Sequence, residues 1–144
     1  MTQTHIQRVQ DIYGCFKRGD IPAVLSNLTD DAMFGMVGRA HDVPMAGLRK
    51  GKAGAAEFFR LLNETQELHG FTPKVFAANE DTVFVLGHTE WTMRRNGVSG
   101  ANDWVHVFTF NEAGQCTGFQ GHQDTGLLAE AYHAAPAAKR VVNG

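Results

Sequence analysis

The chain has 144 residues, a formal net charge of −2 and a pI of about 6.4. That length suits one domain with a core of its own, and the scattered charges leave no basic footprint for nucleic acid or a lipid surface. The opening MTQTHIQRVQ has no apolar signal core and no apolar run is long enough to cross a bilayer, so the expectation is a cytoplasmic protein with no membrane partner.

Cys15 and Cys116 are the only cysteines, and free thiols are expected in that compartment. The seven histidines never fall at H-x-x-x-H or H-x-H spacing, so no metal is expected, and no other cofactor.

Thr4 to about Arg18 reads as a helix, because Ile6, Val9, Ile12, Tyr13 and Phe16 recur at three- and four-residue steps. Thr4 with Gln7 fits a capping box, and Gly19 fits the stop. Asp20 caps a short second helix that has Pro22 in its first turn and runs to about Asn27. AMFGMVG (32–38) is a short apolar strand, and RAHDVPMAGLRKG (39–51) is a loop. A stronger helix follows from about Lys52 to Leu68, with Ala55, Phe58, Phe59 and Leu62 as its buried stripe. Four strands come next: FTPKVFAA, TVFVLGHTEWTM, NDWVHVFTF and CTGFQGHQ. Asn79-Glu80-Asp81, Asn96-Gly97 and Glu112-Ala113-Gly114 separate them as turns. Asp124 caps a last short helix, TGLLAEAY. Residues 1–133 are expected as a single domain and 134–144 as a loose tail. Helices set to one side of a mainly antiparallel sheet make this an α+β protein.

Alternation along the strands sorts the residues into two faces. A two-residue Asn96-Gly97 turn sets Gly87 opposite His106 and Val85 opposite Phe108. A two-residue Ala113-Gly114 turn sets Gly121 on the other side of His106 and Phe119 beside Phe108. One face then carries Val85, Gly87, Thr89, Trp91, Trp104, His106, Phe108, Phe119, Gly121 and Gln123. The other carries Leu86, His88, Glu90, Asp103, Val105, Val107, Gln120 and His122. A two-residue register error would keep these faces. The first face is apolar and aromatic except at His106, and the glycines beside it suggest a sheet curved around open space. Two readings of His106 stay open: a core histidine bonded to a backbone carbonyl or a tyrosine hydroxyl, or a group projecting into a cavity. Trp91 and Trp104 would be large apolar walls suited to a ring-shaped ligand.

YGCFKRGDIPAVLSNLTDDA (13–32), VPMAGLRKGKAGAAEFF and DWVHVFTFNEAGQCTGFQGHQDTGLLAEAY resemble the nuclear transport factor 2-like superfamily, the last of them its SnoaL-like (polyketide cyclase-like) branch. The resemblance covers about residues 6–132. It implies a cone-shaped fold: a curved, mainly antiparallel sheet wrapped around three to four helices, with a central cavity and often a dimer. Carried over position by position, it sets the aspartate base of ketosteroid isomerases at Met36, their oxyanion-hole acid at His106, and their tyrosine nearest Ile12, or Tyr13 after a one-residue shift. The aspartate of SnoaL-type cyclases falls at Gly121. The Asp-Arg-Asp set of limonene-epoxide-hydrolase-like members has no counterpart, and His106 with Tyr13 is the nearest echo of the histidines and tyrosines of scytalone-dehydratase-like members.

The expectation is a small-molecule-binding protein, a lyase or isomerase for an apolar, ring-containing substrate. His106 would be its acid or base and Tyr13 a partner. Trp91, Trp104, Phe108, Phe119, Gln123, Met36 and Phe59 would bind the ligand. The alternative is a non-catalytic ligand-binding or dimerisation module of the same fold. Leu86, Val105 and Val107 on the convex face point to a homodimer.

Overall fold

Helix α1 (Thr2–Lys17) turns Val9, Ile12 and Tyr13 inward and stops at Gly19, whose positive φ of 75° suits a residue without Cβ. These bounds come from a computed structural model, which describes residues 2–136. The helix begins at Thr2, so Thr4 lies inside it and the expected capping box with Gln7 does not form. Asp20 does cap α2 (Ile21–Ser26), its side chain accepting a hydrogen bond from Ala23 N at 3.2 Å. Asp124 caps α4 (Thr125–His133) in the same way, through Leu127 N at 3.0 Å.

Strand β1 (Leu28–Met36) starts earlier than its apolar run. The segment expected to be a loop contains a further strand, β2 (Gly47–Lys50), antiparallel to β1. Its sequence has no alternation to announce it. It forms because Gly35, opposite Leu48, has no side chain: a Cβ there would strike the Gly47 carbonyl. Helix α3 (Gly51–Thr65) buries Ala55 and Phe58 but ends short of Leu68. Gln66, Glu67 and Leu68 open strand β3 (Gln66–Asn79) instead, paired to Met93, Thr92 and Trp91 at the far end of β4 (Thr82–Met93). The unpaired end of β4 outweighs the helical preference of this short stretch.

The sheet is completed by β5 (Ser99–Phe110) and β6 (Cys116–Gln123), and its order is β2-β1-β6-β5-β4-β3. Only β1 and β6 run parallel. This mixed, mainly antiparallel sheet is curved and does not close. The elements from Thr2 to His133 belong to it or to the helices beside it; residues 137–144 of the expected loose tail lie outside the described residues.

The β4–β5 register is two residues away from the one expected. Val85, not Gly87, faces His106, and Gly87 faces Trp104. The turn is longer than Asn96-Gly97 because Asn96 has another task. It is buried, and its amide donates to the carbonyls of Ala131, Tyr132 and Ala134 at 2.9, 3.2 and 3.1 Å. That clamps the end of α4 to the hairpin. The two-residue offset preserves every face assignment.

The offset changes what the glycines do. Each tryptophan ring on the inner face lies across a glycine of the neighbouring strand: Trp104 over Gly87, and Trp91 over Gly100. The space at Gly87, expected to be open, is filled by the Trp104 ring. Gly87→Ala would drive a methyl group into that ring and is expected to destabilise the fold by about 1–3 kcal/mol, read from the midpoint of urea unfolding.

Candidate functional site

Cross-strand pairing lays out the inner face as rows. One row is Phe34, Phe119, Phe108 and Val83; the next is Met36, Gly121, His106 and Val85; the third contains Gln123, Trp104 and Gly87. His106 therefore has glycine on one side and valine on the other. A Cβ on Gly121 would stand 3.5 Å from His106 Cδ2 and 3.7 Å from Nε2, so the histidine ring has slack on that side. Along its own strand His106 stacks on Trp104, with centroids 3.7 Å apart and planes at 14°. Phe119 meets it edge-on at 4.8 Å.

Helix α1 supplies the partner. Tyr13 Oη lies 2.8 Å from His106 Nδ1. The Tyr13 ring is held by Phe71 at 5.3 Å, Phe108 at 5.6 Å and Phe76 at 6.1 Å, all near edge-on. Burial raises the Tyr13 phenol above its ordinary pKa, so it keeps its proton. Burial, with like-signed His122 as a lesser cause, pushes the His106 pKa down to about 3. The pair at neutral pH is a phenol and a neutral imidazole. One tautomer satisfies both: Tyr13 donates to Nδ1 and the ring proton sits on Nε2.

Nε2 has no partner among the described residues. It is not sealed in either, since among those residues Thr29 Oγ1 is the one enclosed side-chain polar atom left unpaired. The His106 ring lines a cavity of about 100 Å³ between α1, α3 and the inner face of the sheet. Ile12, Phe34, Met45, Phe58 and Leu62 make most of its remaining wall apolar, and no carboxylate lines it.

Of the residues expected at the site, His106, Tyr13, Trp104, Phe108, Phe119, Gln123, Met36 and Phe59 all line this cavity. Trp91 does not. It shares their face but is buried in the core outside the lining, and its Nε1 donates to Asn102 Oδ1 at 2.6 Å. Asn102 donates in turn to Gln123 Oε1, and the Gln123 amide nitrogen leans on Met36 Sδ. Gln123 is thus engaged by the protein on both ends of its amide. Sequence reasoning missed Gln66, Leu68, Phe71, Val24, Phe34 and Met45 as lining residues. The first two lay in a stretch read as helix, so their strand parity was never available. Among the described residues no group of three or more His, Cys, Asp or Glu could hold a metal ion, and no helix is long and apolar enough to cross a membrane.

Helices on one side of a curved mixed sheet, with an aromatic cavity between them, define the NTF2-like fold. An NTF2-like protein from Burkholderia xenovorans LB400 superposes with a TM-score of 0.82 at 26% identity, over 92% of this chain and 98% of that one. One of unknown function from Burkholderia pseudomallei K96243 gives the same score and identity, over 90% and 98%. TerC, crystallised with polyporic acid, gives 0.78 at 26% identity over 90% and 98%. The sequence model of the SnoaL-like domain matches residues 9–119, and the chain belongs to that family. No curated protein matches it.

The depressed His106 pKa has a consequence for stability. In the unfolded chain the imidazole takes a proton near its ordinary value of 6.5, whereas in the fold it stays neutral down to about 3. Between those values the unfolded state binds the extra proton, so stability falls as pH falls. The contribution is full above pH 6.5 and is lost toward pH 3, at about 1.4 kcal/mol per pH unit. Urea unfolding at stepped pH is expected to show a steeper loss below 6.5 for wild type than for His106→Phe; parallel curves would exclude this.

Proposed function

We propose that the cavity binds a small, largely apolar, ring-containing molecule, with His106 Nε2 donating a hydrogen bond to an oxygen on it. The observation that carries this is one histidine lining an apolar cavity with its two nitrogens in different states: Nδ1 bonded to Tyr13, Nε2 without a partner among the described residues. A neutral imidazole held in one tautomer polarises a carbonyl and stabilises negative charge growing on its oxygen. That suits isomerase or lyase chemistry at the adjacent carbon. A base with a pKa of about 3 is mismatched to proton abstraction near neutrality, so His106 acts here as a donor rather than as the expected acid or base. The lack of a cavity carboxylate to take the proton favours a second reading, a binder that holds the molecule without turning it over. The relative crystallised with polyporic acid supports a small-molecule ligand under either reading.

Polyporic acid is the probe at hand, and the fluorescence of Trp104, stacked on His106, reports occupancy. Saturable quenching is expected in wild type. His106→Phe should weaken binding roughly three- to tenfold, the worth of one net hydrogen bond. Equal affinity in the mutant would sink the assignment of His106. Chromatography of the incubated compound then decides between turnover and binding alone.

We also propose a homodimer through the convex face. Val75, Phe84 and Leu86 stand 52%, 42% and 48% exposed there, beside half-buried Val105 and Val107, and a second copy would cover them. Sedimentation equilibrium at micromolar concentration is expected to give twice the chain's 15.8 kDa; a monomer would exclude it.

A further inference from the structure

A second space adjoins the cavity. A wider bowl of about 650 Å³ lies between the α1–α2 turn, α3 and the start of β3. Phe16, Phe59, Leu62, Gln66 and Leu68 line both spaces and so stand at the boundary between them, called the neck below. Four of these five are apolar. The fifth, Gln66, is only 5% exposed, yet its side chain makes no hydrogen bond among the described residues. Nor is it one of the sealed, unpaired polar atoms, so its amide faces the open space of the neck. A buried amide without a partner costs about 1–3 kcal/mol, which a ligand group or water at the neck would offset.

The bowl's charges do not compete for that role. Arg60 is held by Glu57 and Glu64. Arg94 donates to the Asn63 carbonyl at 2.7 Å and lies 3.9 Å from Glu67. An anionic tail would find these cations already paired.

Building on the ligand-binding reading above, we infer that Gln66 is a second, specificity-determining hydrogen-bond group. It selects molecules whose inner ring sits in the cavity beside His106 and whose outer part carries a neutral hydroxyl or carbonyl at the neck. The inner cavity holds little more than one ring, so a two-ring molecule with polar groups at opposite ends fits this layout.

The test compares 4-hydroxybiphenyl with 4,4′-dihydroxybiphenyl by tryptophan fluorescence titration. Wild type is expected to favour the diol by about tenfold, and Gln66→Leu to bring that ratio close to one. His106→Phe should weaken both probes and leave the ratio in place. A ratio kept intact in Gln66→Leu, or a wild-type ratio of one with both probes bound, would overturn the role of Gln66 alone. Failure of wild type to bind either probe would overturn it together with the ligand reading. Melting temperature supplies the structural control. Replacing an unpaired amide by leucine should leave it unchanged or higher; a fall of more than about 4 °C would mean that Gln66 holds the fold, and would also overturn the proposal.

Discussion

The hydrogen bond between Tyr13 and His106 ties the first helix to the middle of the sheet, and most of the site's chemistry follows from it. A histidine on an aromatic face, left alone, would be a desolvated polar group at considerable cost. Tyr13 satisfies one nitrogen at 2.8 Å. That fixes the tautomer, and the tautomer decides what the other nitrogen offers to the cavity. The two burial effects reinforce each other: the phenol holds its proton and the imidazole refuses one. The pair is therefore uncharged, which is what an apolar cavity without a counter-ion tolerates.

Around this bond the aromatic residues have separate duties. Trp104 stacks on the histidine, and its Nε1 reaches Thr89 Oγ1 at 2.6 Å. The ring is thereby pinned at both its face and its edge. Phe71 and Phe108 fix the orientation of Tyr13. Trp91 anchors Asn102, and through it Gln123 and Met36, at the edge of the cavity. The two tryptophans thus look equivalent in sequence but divide the work, one forming the wall and the other supporting it. Close packing of this kind keeps the inner cavity to about 100 Å³, beside the wider bowl.

The two initial readings of His106 turn out not to exclude each other. It is bonded to a tyrosine hydroxyl, as a structural histidine would be, and it also borders a cavity. They looked like alternatives because a single residue was being asked for a single role. An imidazole has two nitrogens on opposite edges, and here the fold assigns one to each task.

The sequence by itself determined the α+β class, the caps at Asp20 and Asp124, the limits of β4 and β6, and the faces on which the central residues of β4, β5 and β6 lie. These depend on period and on local hydrogen bonding, and strand parity survives a two-residue slip. The family was legible for the same reason, since its motifs are local runs. Only the tertiary structure decided what depends on neighbours far along the chain. Pairing with the end of β4 turned Gln66 to Leu68 from helix into strand, and so brought Gln66 to the neck of the cavity. The backbone at Gly35 drew in a strand with no alternation of its own. The α4 carbonyls claimed Asn96 and thereby shifted the hairpin register. That shift put Trp104 over Gly87 and left the open side of His106 at Gly121. No local pattern encodes such contacts, because each is set by which partner a backbone or amide group can reach once the sheet has curved.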